Sequence, residues 1–212
     1  MPFDALMSPW PAGPGGRRPN LSEEFVAAIA SRMSLRFVPD GRGDLIATFG
    51  PEDVFHYIYA VLHSPTYRDR YTEFLKTDFP RIPVTSSKDL FALLAKKGAE
   101  IVALHTMESP LLDEVVATFP ITDSNEVTLV RFDEPAARVW INKSQYFEGV
   151  QSQVWSFQTG GYQVCDKWLK DRKGRRLSYE DVAHYQKVVV ALRETMRLMA
   201  EIDEAIPAWP IS

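Results

Sequence analysis

Ser178-Tyr179-Glu180-Asp181-Val182-Ala183-His184-Tyr185-Gln186-Lys187-Val188-Val189-Val190-Ala191-Leu192-Arg193-Glu194-Thr195-Met196-Arg197-Leu198-Met199 is the stretch that decides the fold. A serine followed by two carboxylates is a helix start, because the hydroxyl can accept an orphan amide and the negative charges suit the positive end of the helix dipole. Val182, Tyr185, Val189, Leu192, Met196 and Met199 then recur at steps of 3, 4, 3, 4 and 3. That seam predicts a helix lying lengthwise along another helix. With a 1.5 Å rise per residue, about 25 residues span roughly 37 Å. The partner expected is the helical pattern over residues 87–107, capped by Ser86 or Ser87 and antiparallel to the first. Gly98 within it costs roughly 1 kcal/mol against alanine, which leaves a break there open.

Outward from this pair, three shorter helical starts and one change of character are visible. Ser22-Glu23-Glu24 opens a helix with Phe25, Val26, Ile29 and Met33 as its apolar stripe. Leu45 to Phe49 reads as a short strand after the Asp40-Gly41-Arg42-Gly43-Asp44 turn. Gly50-Pro51-Glu52-Asp53 opens an aromatic-rich helix through Phe55, Tyr57, Ile58, Tyr59 and Leu62, and Ser64-Pro65 restarts the chain as a helix with Tyr67, Tyr71, Phe74 and Leu75. Over 111–177, Val127–Phe132, Ala137–Ile141 and Val154–Phe157 are β-branched and aromatic, separated by turn material such as Asp123-Ser124-Asn125. The expected fold class is therefore α+β: a helical scaffold with a long C-terminal helix packed on a second long helix, plus a small β-rich region. A single domain is expected over 20–206, with scaffold segments 20–110 and 178–203 and the β-rich region at 111–177. A flexible Pro/Gly-rich linker at 1–19 and a tail at 207–212 flank it.

Composition narrows the function. The chain has 212 residues, 45% hydrophobic and 25% charged, as globular chains do. No apolar run approaches the roughly 18 residues needed to span a bilayer, and Met1-Pro2-Phe3-Asp4 lacks the start of a signal peptide, so no membrane partner and a cytoplasmic location are expected. One cysteine, Cys165, excludes an internal disulfide and a multi-cysteine zinc site. His56 and His63 share a helical face and Glu108 follows His105 by three residues, but no third ligand stands at a metal-binding spacing. A phosphate loop, a glycine-rich cofactor loop and a nucleophile–base pairing are all missing from the sequence. No catalytic activity and no metal are expected of this chain alone.

One segment stands apart. The formal net charge is −4, yet Asp166 to Arg176 holds six cations and only two carboxylates, a local +4. Lys167, Lys170, Arg172, Lys173, Arg175 and Arg176 are candidate contacts to DNA phosphates, with a solvated charged loop as the bland alternative. The β-rich region supplies polar side chains between aromatics Trp140, Tyr146, Trp155 and Phe157: Asn142, Lys143, Gln145, Gln151, Gln153 and Gln158. Amides can pair bidentately with adenine and lysine with guanine. Asn142, Lys143, Gln145, Gln158 and Tyr162 are the base-reading candidates.

Three stretches resemble the C-terminal target-recognition domain of type ISP restriction–modification enzymes, the single-chain, ATP-dependent bacterial systems. They are His56-Tyr57-Ile58-Tyr59-Ala60-Val61-Leu62-His63-Ser64-Pro65-Thr66-Tyr67-Arg68, Phe74-Leu75-Lys76-Thr77-Asp78-Phe79-Pro80-Arg81-Ile82-Pro83, and the Gly160 to Arg176 run with its following helix to Asp203. Leu62-His63-Ser64-Pro65 and Phe79-Pro80-Arg81-Ile82-Pro83 also look like helix and spacer elements of type I specificity subunits. The resemblance covers nearly the whole chain from about Asn20. It implies recognition of an asymmetric site on double-stranded DNA, directing adenine methylation and ATP-dependent cleavage by other domains. Methyltransferase, helicase and nuclease domains of the same polypeptide would be its partners. ATP, Mg and S-adenosylmethionine would serve those domains, with no cofactor here. The resemblance brings no base-reading residue with it. Two rivals stand beside it: a protein-interaction domain using an aromatic face around Tyr57, Tyr59, Tyr67 and Tyr71, and a small histidine-dependent hydrolase.

Overall fold

Each of the expected helix starts is a helix start. A computed structural model describes residues 9–14 and 16–211. Ser22 accepts the amide of Phe25 at 3.2 Å ahead of α1 (Glu23–Met33). The chain then runs through β1 (Arg36–Phe37), β2 (Thr48–Phe49), α2 (Pro51–His63), α3 (Pro65–Arg70), α4 (Thr72–Leu75) and α5 (Lys88–His105). After a 3-10 turn at Pro110–Asp113 come β3 (Arg131–Asp133), β4 (Arg138–Trp140), β5 (Tyr146–Glu148), α6 (Ser152–Ser156), β6 (Gln158–Thr159), β7 (Tyr162–Gln163), α7 (Val164–Lys170) and α8 (Tyr179–Ala205). Ser178 and Asp181 cap α8 reciprocally, each amide donating to the other's side chain at 3.1 Å. Such a cap is worth about 1 kcal/mol. No helix among the described residues is long and apolar enough to cross a membrane.

The chain forms two compact units, residues 1–102 with 198–212, and residues 103–197. In the first, the rings of Trp10, Phe37, Phe49, Phe91 and Tyr57 follow one another at centroid separations of 4.7, 5.2, 6.2 and 5.0 Å. Trp10 also donates its indole N–H to Leu21 O at 2.7 Å, so the stretch expected as a linker is tied to the unit at this residue. Residues 1–8 and 15 of that stretch, and residue 212 of the expected tail, lie outside the described residues. The expected strand at 45–49 is shorter, because the Asp44 carboxylate accepts the amides of Ala47, Ile46 and Thr48 and bends the chain into a turn. These amides, Ala47 foremost, hold the Asp44 carboxyl well below the usual range.

Tyr57 and Tyr67 face inward, at 2% and 1% exposure, which removes the two central rings from the aromatic face considered for protein contacts. Tyr57 donates to Pro83 O at 2.7 Å and Tyr67 to Arg81 O at 3.0 Å, fastening the proline-rich strap ahead of α5. Burial pushes the Tyr57 phenol up to about 12. Ser64 caps α3 by accepting the Tyr67 amide at 3.0 Å and donates to Asp203 of α8. Thr66 donates to the same carboxylate from its amide at 3.0 Å and its hydroxyl at 2.7 Å.

The second unit packs the antiparallel meander β3-β4-β5 on α7 and the first part of α8. Val139, Ile141, Phe147, Cys165, Leu169, Tyr185, Val189 and Leu192 are buried in one cluster, with Val182 and Met196 against it. Between the two long helices, Lys97 pairs with Glu201 in the first unit, and His105 Nε2 meets Thr195 Oγ1 at 3.1 Å in the second. The seam itself is covered differently from the expectation. From Val182 to Met196 it lies on the sheet and α7, because a 3–4 repeat specifies an apolar stripe and any apolar surface can cover it. Two further corrections fall in this unit. Val154, Trp155 and Ser156 belong to the helical turn α6, with Phe157 as its C-cap; Val154 enters the core and Trp155 stacks on Phe132 at 5.2 Å, packing outweighing β propensity. The third strand is Tyr146–Glu148, which pairs with Arg138–Trp140.

Gly98 does not break α5. A Cβ there would lie 1.8 Å from His56 O, so the glycine is what lets α2 approach α5. Gly98→Ala should therefore destabilise the protein by about 1–3 kcal/mol in urea unfolding, despite alanine's better helix propensity. Leu192→Ala should cost on the order of 2–5 kcal/mol, since the side chain is buried in the cluster.

Candidate nucleic-acid interface

The loops at one end of the second unit are held by two buried amides. Gln145 is 0% exposed and Asn142 7%. The Gln145 amide donates to Ile121 O at 2.8 Å and Asn125 Oδ1 at 2.7 Å, and accepts from Asn125 N at 2.7 Å and Asn142 Nδ2 at 2.9 Å. Both donors and both lone pairs are thus used. Asn142 also donates to Glu126 O at 3.1 Å and accepts the amides of Ser144 and Gln145 at 2.9 and 2.7 Å. Both residues were base-reading candidates. Their hydrogen-bonding capacity is spent inside the protein, so they build the loops and have nothing left to offer a base edge.

The basic segment joins the same cluster through its backbone. Val127 N donates to Arg175 O at 2.9 Å, Gly174 N to Val127 O at 2.8 Å and Leu177 N to Asn125 O at 2.9 Å. Loops 121–126, 142–145 and 172–177 are therefore one hydrogen-bonded assembly. Lys143 is exposed on its middle member and Lys173, Arg175 and Arg176 on its last.

The six cations divide evenly. Lys167 pairs with Asp171 at 2.7 Å, Lys170 with Asp166 at 2.6 Å and Arg172 with Asp181 at 3.2 Å. Arg172 is held further by Trp168, donating to its carbonyl at 3.1 Å and lying 3.5 Å from its ring centroid. The Ser178 amide, then Arg172, keep the Asp181 carboxyl below its usual range, and hydrogen bonding to Asp171 raises the Lys167 ammonium. No ion pair engages Lys173, Arg175 or Arg176 among the described residues.

Gln158 and Tyr162 are both exposed on the β6–β7 hairpin but on opposite faces, since Gln158 pairs with Gln163 and Tyr162 with Thr159. The hairpin turns on Gly160 and Gly161, at φ 58° and 83°. A two-residue turn with both φ positive matches the twist of the strands, and glycine adopts it without strain. Lys167 Nζ lies 5.6 Å from the Tyr162 ring centroid. Gln151 and Gln153 bond to each other at 3.0 Å. Trp140 packs on Tyr146 at 4.7 Å and Trp155 on Phe132 at 5.2 Å, in roles that are structural. Cys165 is buried, and desolvation pushes its thiol up to about 12, which leaves it unreactive. The 121–126 loop was not singled out by sequence, where Asp123-Ser124-Asn125 registers only as turn material. Asn125 there adopts φ 55°, a left-handed backbone that asparagine tolerates better than most residues.

A profile of the type ISP C-terminal specificity domain matches residues 8–201. The chain belongs to that family. No curated protein matches this specificity domain. Among solved structures it is similar to the DrdV–DNA complex, with a TM-score of 0.65 and 22% identity over 90% of this chain and 20% of that one. It is also similar to a nuclease-deletion mutant of the type ISP restriction–modification enzyme LlaGI in complex with a DNA substrate mimic (TM-score 0.55, 20% identity, 71% of this chain, 13% of that one). A third is the ATP-dependent type ISP restriction–modification enzyme LlaBIII bound to DNA (TM-score 0.56, 18% identity, 76% of this chain, 11% of that one). At these identities the likeness shows the fold. The specificity domain spans 20%, 13% and 11% of the three solved chains.

Gln145→Ala would orphan the Asn125 amide, the Asn142 amide group and the Ile121 carbonyl at once. Each buried orphan costs about 1–3 kcal/mol, partly relieved by water. A loss on the order of 3 kcal/mol in urea unfolding is expected, against less than about 0.5 kcal/mol for Lys143→Ala on the exposed side of the same loop.

Proposed function

We propose that this specificity domain is a DNA target-recognition module, and that the cluster of loops 121–126, 142–145 and 172–177 is its DNA-facing surface. The observation that carries the proposal is the set of Lys173, Arg175 and Arg176, exposed and without ion pairs among the described residues, on a loop fixed to the cluster by backbone hydrogen bonds. Unneutralised cations on a loop held by backbone hydrogen bonds beside exposed polar side chains are what phosphate contact flanking base readout requires. Family membership supports the same role, as do three similar folds solved with DNA or a DNA mimic. Lys143, Gln158 and Tyr162 remain as base-reading candidates, being exposed. Adenine methylation and ATP-dependent cleavage would belong to methyltransferase, helicase and nuclease domains acting with this one. ATP, Mg and S-adenosylmethionine would be needed there, and the pure chain should neither hydrolyse ATP nor transfer a methyl group.

Charge pairing sets the magnitude. If all six cations met phosphates, log affinity would fall against log salt with a slope near −5. With Lys173, Arg175 and Arg176 alone it is about −2.7. Fluorescence anisotropy of a labelled duplex between 50 and 200 mM salt, roughly a 40-fold loss at such a slope, reads this directly. Arg175→Ala or Arg176→Ala should flatten the slope by about one unit and weaken all sequences alike. Lys167→Ala and Lys170→Ala, whose partners are Asp171 and Asp166, should change it by much less. A slope unmoved by neutralising Lys173, Arg175 and Arg176 together would make the basic run a solvated loop.

A further inference from the structure

The three-loop cluster holds a carboxylate among its cations. Asp123 is exposed on the 121–126 loop, and no cation pairs with it among the described residues. Its side chain is oriented all the same: Ser144, from the neighbouring loop, donates its hydroxyl to Asp123 Oδ2 at 2.6 Å. Ser144 is itself placed by the buried amides, its backbone N–H donating to Asn142 Oδ1 at 2.9 Å. On the other side, Asn125 is locked to Gln145 through its amide and its side chain, both at 2.7 Å. Asp123 therefore sits at the tip of a loop anchored behind it and braced from the side. One oxygen of its carboxylate is engaged by Ser144, and the other has no hydrogen-bond partner among the described residues.

An acidic side chain gains nothing from a phosphate backbone and is repelled by it. In the major groove its favourable partners are amino groups: N4 of cytosine, or N6 of adenine. Lys173, Arg175 and Arg176, exposed on the adjoining loop, would meet the phosphates that flank such a base. We infer that Asp123 is a specificity-determining residue whose carboxylate accepts a hydrogen bond from a base exocyclic amino group in the major groove, with Ser144 as its positioning residue. This rests on the DNA-recognition role proposed above. A buried, polar-bonded brace behind an exposed acceptor discriminates better than a free side chain, because the wrong base leaves the acceptor unpaired and it cannot swing away to water.

The test selects from a pool of 30-bp duplexes randomised at the centre, using the 212-residue chain and its Asp123→Ala variant, followed by sequencing of the bound fraction. The wild type should enrich a motif with cytosine or adenine at one position where Asp123→Ala loses preference roughly 5- to 150-fold, other positions unchanged. Replacing cytosine by 2-pyrimidinone, or adenine by purine, at that position removes only the amino group and tells the two sources apart. The matching analogue should weaken wild-type binding by the same factor and leave Asp123→Ala unaffected. If Asp123→Ala keeps the wild-type motif and merely binds every duplex more tightly, Asp123 is a solvated loop carboxylate and the inference fails alone. If the wild type enriches no motif at all, the DNA-recognition role fails and takes the inference with it.

Discussion

The side-chain amide of Gln145 is the interaction on which the candidate interface depends. Loops that carry function are hard to hold still, because their backbone groups lack the regular partners of helix and sheet. Here a single amide meets the demands of two of the three loops from the inside, and Asn142 carries the connection to Glu126. The third loop is then paired to the first by its own backbone. The arrangement puts polarity in the interior of the cluster, where every donor and acceptor is matched, and leaves charge at the rim. Partial satisfaction would be worse than an apolar core, so such a network stands or falls as a unit.

Charge within the basic run follows the same division. Lys167, Lys170 and Arg172 look identical to their neighbours in composition, yet α7 and the cap of α8 present Asp171, Asp166 and Asp181 to them. Two of the three pairs are i,i+4 neighbours on the surface, which stabilise a helix by only a few tenths of a kcal/mol. Their larger effect is to neutralise half of the local positive charge, confining the uncompensated cations to the loop beyond α7. The acidic net charge of the chain is then no obstacle to polyanion contact, since the field that matters is local and screened within about 10 Å at ordinary salt.

The sequence made the helices legible because their determinants are local. Ser22, Gly50-Pro51, Ser64-Pro65 and Ser178 each announce a start within four residues, and the caps are made as the residue types suggest. Gly98 was legible only as an anomaly, since its reason, the carbonyl of His56, lies 42 positions away in sequence. The β-rich region was legible in kind and poor in detail. Strands of three residues carry too little alternation to be told from a helical turn such as Ser152–Ser156, and the covering of the seam by a sheet depends on that region's own fold. Site residues fared by the same rule. Polarity and spacing nominated Asn142 and Gln145 as surface readers, and only burial reveals that they face inward. The 121–126 loop escaped notice because its residue types mark a turn and carry no sign of the hydrogen bonds that Gln145 and Leu177 make to it.

Separating the brace from the tips has an evolutionary consequence. Mutations at Asp123, Lys143, Gln158 or Tyr162 fall on exposed side chains, where substitutions seldom alter stability by more than about 0.5 kcal/mol. The foundations at Asn142 and Gln145 need not change with them. Were these exposed side chains the base readers proposed above, target preference would change by single substitutions, each variant still folded.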